Sequence, residues 1–334
     1  MRIALDAMGG DHAPMEIVRG ARDAAQEFGI HILLVGDQDR IAKELNGEDA
    51  GGLISIVHAP EVVGMDEHPV NAIRKKKKSS IVVATQLVKA GSADAVVSAG
   101  STGAQMASSL FILGRIPGID RPAISTLLPT SDGVVVLLDA GANVDCRTQH
   151  LEQFAMMGSL YAERVLGLPH PRIGLLNIGE EETKGNELTL AAYSLLKKLD
   201  LNFVGNVEGR ELFLGRSDVV VCDGFVGNVV LKAAEGLAMG LLGMFQQELG
   251  RMEEVIGRER VLHLLGGLKR RMDYAEYGGA PLLGVDGVSV ISHGSSRAKA
   301  IKNAIRVAKE TVEQKLVPAI KANLEKDTVK GVDE

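Results

Sequence analysis

The feature that most restricts what this chain can become is the alternation of short apolar runs with helical patterns along most of its length. Runs at residues 3–5, 32–35, 53–57, 95–97, 124–128, 134–138, 173–176, 203–207, 219–221 and 288–291 have strand length, and segments of helical period lie between most of them. Strands joined through helices run parallel, and a parallel sheet must be covered on both faces. The expected fold is therefore α/β, a three-layer, mainly parallel sheet. One junction departs from the pattern. Residues 129–133, Pro-Thr-Ser-Asp-Gly, are too few for a crossover helix, so 124–128 and 134–138 are expected to pair as an antiparallel hairpin within the sheet. No internal repeat is visible, and the chain reads as one α/β domain over 1–334, 46% apolar and so able to build a sizeable core.

Several strand-to-helix junctions are rich in glycine: 6–14, 98–104, 139–145, 222–228 and 292–297. In open α/β sheets ligands bind at the carboxyl ends of the strands, where such loops gather. None matches a P-loop or a dinucleotide fingerprint, so a small polar ligand is expected and no cofactor. Asp6, Gly9, Gly10 and His12 in the first loop and His293 in the last are candidates for positioning substrate.

The loop 177–185, Asn-Ile-Gly-Glu-Glu-Glu-Thr-Lys-Gly, follows a buried-strand pattern and leads into an amphipathic helix at 186–199 with Leu188, Ala191, Leu195 and Leu199 as its apolar positions. A helix N-terminus carries partial positive charge, so Lys184 there is repelled unless an anion joins it. The plainer alternative is an exposed lysine screened by water and by Glu180, Glu181 and Glu182. Arg297 repeats the conflict ahead of a helical pattern reaching about residue 324. Ser101, Thr102 and Gly103 begin another helix, and Ser295 and Ser296 read as N-caps. Together with Arg297 these residues are candidates for a phosphate-binding nest. Asn228 suits an N-cap for a helix from about 229, and equally a donor to a developing oxyanion.

Composition removes other classes. A net charge of −6 with scarce aromatics argues against nucleic-acid binding. The two cysteines, Cys146 and Cys222, form no framework, which fits a reducing cytoplasm, and Cys222 reads as a small buried residue more readily than as a nucleophile. The eight histidines show no ligand spacing, so no structural metal is expected. No uninterrupted apolar run reaches the ~20 residues that span a bilayer. The basic run Arg-Lys-Lys-Lys-Lys at 74–78 is either a solvated face or a landing point for an acidic protein. The stretch 236–249 is apolar over most of its circumference, and 261–268 is apolar again before Lys-Arg-Arg. These are expected to form a protruding helical hairpin, 236–283, whose Leu237, Leu241, Leu242 and Phe245 face the core, a second subunit or a membrane surface.

With these motifs in view the sequence resembles the bacterial phosphate acyltransferase (PlsX) family, the acyl-carrier-protein:phosphate acyltransferases. The matching segments are 4–14, 75–87, 97–104, 138–143, 176–185, 223–228 and 292–296, in family order over nearly the whole chain. The resemblance implies an isocitrate/isopropylmalate dehydrogenase-like, phosphotransacetylase-like fold and a homodimer. It implies transfer of a fatty acyl group from acyl carrier protein to inorganic phosphate, the acyl phosphate then serving a membrane acyltransferase in phospholipid synthesis. It assigns catalysis to Lys184 and Asn228, and a cytoplasmic location, peripheral to the membrane where the hairpin meets it. The alternatives are a phosphotransacetylase using short acyl-CoA and a non-catalytic membrane-associated scaffold.

Overall fold

The computed structural model describes residues 1–251, 257, 260, 262–263, 266–267 and 277–330, with side chains as far as 325. The first half runs β1 (Arg2–Asp6), α1 (Met15–Phe28), β2 (His31–Gly36), α2 (Gln38–Leu45), β3 (Ile54–His58), α3 (Pro69–Lys75), α4 (Ser80–Lys89), β4 (Ala95–Ser98), α5 (Thr102–Ser108) with a π-helical continuation (Ser109–Leu113), β5 (Ala123–Ile124), β6 (Thr126–Pro129) and β7 (Val134–Leu138). It continues with α6 (Thr148–Arg164), β8 (Ile173–Asn177), α7 (Glu187–Leu196), β9 (Phe203–Glu208), β10 (Val219–Val221), α8 (Gly224–Arg251), β11 (Ala280–Leu283), β12 (Val288–Ile291), α9 (Ala298–Glu313) and α10 (Leu316–Lys330).

The strands form two sheets, ordered β3-β2-β1-β4-β12-β11-β5 and β6-β7-β10-β8-β9. Both are mainly parallel, as the alternation predicts, and β6 pairs with β7 antiparallel as expected, with Pro129 inside the strand and the turn shortened to residues 130–133. The run 124–128 is not one strand, however. It is broken at Ser125, so that β5 pairs with β11 in the first sheet and β6 with β7 in the second. This short crossing ties the sheets together. β11 lies outside the expected strands because Pro281 and the glycines at 278 and 279 give its segment the look of a turn.

Strand periodicity sorts the core. Ile3 and Leu5 of β1 face α1 and α9, where Ile17, Ile301 and Ile305 are buried, while Ala4 faces the layer of α3, α4 and α5. In the second sheet Val136, Leu138, Val219 and Val221 meet Phe154 and Tyr161 of α6, and Val135, Leu137 and Val220 meet Val230 and Leu231 of α8. Both sheets thus have covered faces, giving three layers in each half.

Three helix expectations change. The pattern from 297 to 324 is two helices, α9 and α10, separated at Lys315 with φ +51°. Pro318, lacking an N–H, fits the first turn of α10 and would interrupt a continuous helix. On α7 the fully buried positions are Ala192 and Leu196, one residue on from Ala191 and Leu195. α8 begins at Gly224, five residues earlier than expected, and runs 28 residues. By length and composition α8 could cross a membrane, although its charged residues interrupt the apolar run. Its first turns are docked on the second sheet. The return arm of the expected hairpin, 261–271, lies largely outside the described residues.

Candidate active site

Three loops of the first sheet close on one another by backbone contact. Asp6 ends β1 fully buried, accepting from Ser98 Oγ at 2.7 Å and from the Met8 N–H at 3.1 Å. Burial pushes its carboxyl above the usual range, and the hydrogen bonds from Ser80, Ser98, Met8 and Gly9 oppose that shift. Gly10 has φ +103°, and a Cβ there would lie 3.0 Å from both the Ala99 and Gly294 carbonyl oxygens. The Asp11 N–H donates to Gly294 O at 2.8 Å and the Ser292 N–H to Ser98 O at 2.8 Å. Asp6, Gly9 and Gly10 therefore hold the loops after β1, β4 and β12 in register. His12 is half-buried in the first of these loops.

In the second sheet the organising residue is Asp139, at the end of β7. Its Oδ1 accepts from the Ile124, Gly141 and Ala142 N–H groups at 3.0–3.1 Å, and its Oδ2 from Asn143 N and Nδ2 at 2.7 and 2.9 Å. Burial raises its carboxyl, and the hydrogen bonds from Ala142, Ile124 and Asn143 oppose the shift. Asn143 in turn donates to Pro122 O and accepts the Gly224 N–H. The carboxylate thus joins the crossing strand, the loop after β7 and the start of α8. Gly227 sits directly on the Asp139 carbonyl, and a Cβ there would collide with it.

This early start for α8 corrects one expectation. Asp223 is the residue that receives an N–H of the first turn, from Val226 at 2.9 Å, so Asn228 is not the N-cap. Asn228 instead lies one turn inside the helix, half-buried, packed over Gly141. Its amide has no hydrogen-bond partner among the described residues. Cys146 and Cys222 flank this region with raised thiols. Burial, with Asp139 nearby, pushes the Cys146 thiol up to about 12, and burial raises the Cys222 thiol well above its usual value.

Loops after β4, β7, β10 and β12 meet around a cavity of about 680 Å³, within the ~300–1,000 Å³ range of small-ligand sites. Thr102, Gly103, Gly141, Asn228, Ser292 and His293 border it with polar groups. Ile124, Leu127, Leu128, Phe213, Leu231 and Leu241 form much of its apolar wall. Ser101 caps α5, accepting from the Ala104 N–H at 3.4 Å, as its position in sequence suggests. Leu237 and Leu241 border the cavity while remaining 64% and 38% exposed. Leu242 is half-buried and Phe245 exposed farther along α8.

The expected caps at Ser295 and Ser296 are not formed. Ser296 Oγ is buried against Ser292 Oγ at 2.8 Å, and Ser295 Oγ pairs with His293 Nδ1 at 2.8 Å. The first N–H of α9, from Ala298, is taken by the Glu16 carboxylate of α1 at 2.8 Å, and Arg297, exposed, occupies the N-cap position. A carboxylate from another helix has displaced the local hydroxyls.

Lys184 is exposed on the loop after β8 and is not part of the cavity wall. It lies two residues before the Asn186 cap of α7 and not in the first turn, and Asn186 and Thr189 cap each other at 2.9 and 3.0 Å. Two of the neighbouring acids are paired elsewhere, while Glu181 Oε2 lies on the same side of Gly179 as the Lys184 side chain. Glu180 pairs with Arg216 at 3.3 Å, and Glu182 with Lys197 at 2.8 Å and Tyr193 at 2.9 Å. Lys184 has no ion-pair partner among the described residues. Two site residues escape sequence reasoning: Asp139, whose role needs the Ile124 and Asn143 contacts, and Lys232, which borders the cavity four residues after Asn228. The i,i+4 spacing was the available signal for Lys232, once the helix was known to start before Asn228.

The sequence model of the fatty acid synthesis protein family matches residues 1–318. A phosphate acyltransferase from Desulforamulus reducens is 80% identical over 334 residues, covering 100% of both chains. Among solved structures, a phosphotransacetylase from Streptococcus pyogenes superposes with a TM-score of 0.63 at 18% identity over 94% of each chain. The EutD phosphotransacetylase from Staphylococcus aureus gives 0.61 at 16%, over 93% of this chain and 94% of that one. The fold is phosphotransacetylase-like.

Proposed function

The chain belongs to the fatty acid synthesis protein family, and from that membership and the geometry of the cavity we propose that it transfers a fatty acyl group from acyl carrier protein to inorganic phosphate. The observation that carries this reading is one cavity with polar groups from four strand-end loops and a long apolar wall. A phosphate oxygen attacks the thioester carbonyl, the tetrahedral oxyanion collapses, and the thiolate leaves and takes a proton from solvent. The products are acyl phosphate, a donor for phospholipid synthesis, and the free carrier thiol. Near neutral pH phosphate is itself an anionic nucleophile, and the high thiol values of both cysteines accord with direct attack.

In this reading the unpartnered Asn228 amide donates to the oxyanion. The amino end of α5, at Ser101, Thr102 and Gly103, offsets the charge of phosphate, and Lys184 and Arg297, exposed outside the cavity wall, add to it only by swinging toward the bound anion. Ser295 and Ser296 support that site through His293 and Ser292. The relative from Desulforamulus reducens bears the name phosphate acyltransferase, which supports phosphate as acceptor. The exposed residues Arg74, Lys75, Lys77 and Lys78 support an acidic carrier as donor, because α3 packs on α5 with Pro69 against Gly103, beside the cavity.

The test is acyl phosphate formation, trapped with hydroxylamine, from acyl carrier protein thioesters and from acyl-CoA. Asn228→Ala is expected to lower kcat about 10²–10³-fold, the usual cost of losing one oxyanion donor. Lys184→Ala is expected to raise the KM for phosphate. Full activity in both variants removes the residue roles. A preference for acetyl-CoA identifies a phosphotransacetylase, and no turnover with any thioester leaves a non-catalytic scaffold.

A further inference from the structure

We propose that the cavity-lining part of α8, from Asn228 to Leu241, measures the acyl chain of the donor, with Ala238 and Leu241 setting its far limit. The proposal rests on the acyl-transfer reading and deepens it by assigning chain length to named residues.

Direction comes from the register. β6 runs antiparallel to β7, with Thr126 opposite Leu137 and Pro129 opposite Val134. Thr126 is thus at the Asp139 end, where Gly141 meets Asn228, and Pro129 is at the other. α8 leaves the carboxyl end of β10, which is parallel to β7, and packs Val230 and Leu231 back onto the sheet. It therefore advances in the same sense as β6, and residues of both border the cavity. The charged residues of α8 in the wall, Lys232 and Glu235, fall within its first four turns. Beyond them its lining residues are Leu237, Ala238 and Leu241. Phe213 closes the same end, its carbonyl accepting from the Ser131 N–H just past β6.

Length follows from helix geometry. The thirteen steps from Asn228 to Leu241 rise about 20 Å at ~1.5 Å each. Carbon–carbon bonds of ~1.52 Å at ~111° advance an extended chain by ~1.25 Å per carbon, so the wall matches about sixteen carbons. A carbonyl held at Asn228 then places the terminal methyl beside Leu241.

The experiment measures acyl phosphate formation from donors of graded chain length and, separately, calorimetric binding of the matching free fatty acids. It compares the natural protein with Ala238→Phe, Leu241→Trp and the control Met239→Trp, whose parent side chain is 76% exposed and outside the wall. The natural protein is expected to favour chains near sixteen carbons. Ala238→Phe and Leu241→Trp should move the optimum to shorter chains and lower the long-to-short ratio of kcat/KM at least tenfold, because each buried methylene contributes about fourfold. Met239→Trp should keep the natural profile. Unchanged profiles in folded Ala238→Phe and Leu241→Trp overturn the proposal. Length-dependent fatty-acid binding that both variants shift, without acyl phosphate from any donor, upholds the ruler and overturns the transfer reading. Turnover with an unshifted profile does the reverse. If the larger side chains prevent folding, Leu241→Ala should lengthen the preferred chain, and no lengthening overturns the ruler.

Discussion

Asp6 ends β1 with 3% of its surface exposed, and its proton equilibrium is therefore tied to folding. Because burial raises its carboxyl above the unfolded value, the folded chain holds the proton to higher pH than the unfolded chain does. The contribution of this group to stability is largest below about pH 4 and declines as pH rises through the folded value. The difference in melting temperature between the natural protein and Asp6→Asn should accordingly shrink as pH is raised above about 4. Thermal melts across that range check it, and a difference that grows with pH would contradict the assignment. Residue type made some roles legible: Ser101 is a cap, and Cys222 is a small buried side chain. Other roles depended on a competitor from elsewhere in the chain. Ser295 and Ser296 are competent caps, but Glu16 brings a full negative charge to the same helix end.

At the scale of elements, α8 carries both the proposed oxyanion donor and the proposed ruler. Its position depends on one close approach, at Gly227 over the Asp139 carbonyl. Gly227→Ala should push the helix off the second sheet, costing about 1–3 kcal/mol as overpacked sites do. Urea unfolding should show a lower midpoint with unchanged slope, and kcat should fall because Asn228 moves with the helix. The strands β1 to β4, β7 to β10 and β12 were legible because apolar runs of strand length have few other uses, and the turn after residue 129 dictated its own hairpin. Helix phase was less legible. On α7, Ala191, Ala192, Leu195 and Leu196 are all apolar, so two faces were available and packing against the second sheet selected Ala192 and Leu196.

For the whole molecule, a net charge of −6 should repel an acidic carrier except near the exposed Arg74, Lys75, Lys77 and Lys78, at and past the end of the helix whose first residue, Pro69, packs on the cavity-lining Gly103. The double reversal Lys77→Glu with Lys78→Glu should raise the KM for carrier-bound donor several-fold at low salt and leave it unchanged for a small free thioester. Steady-state kinetics with both donors against ionic strength tests this; equal effects on the two donors would rule out steering. Periodicity, turn chemistry and glycine placement sufficed to determine a mainly parallel α/β chain with ligand loops at its strand ends, because these depend on neighbours in sequence. The split into two sheets at Ser125, the Asp139 junction and the cavity between four loops were decided only by the tertiary structure. They arise where segments far apart in the chain compete for the same hydrogen bonds and the same space, and no local pattern records which of them prevails.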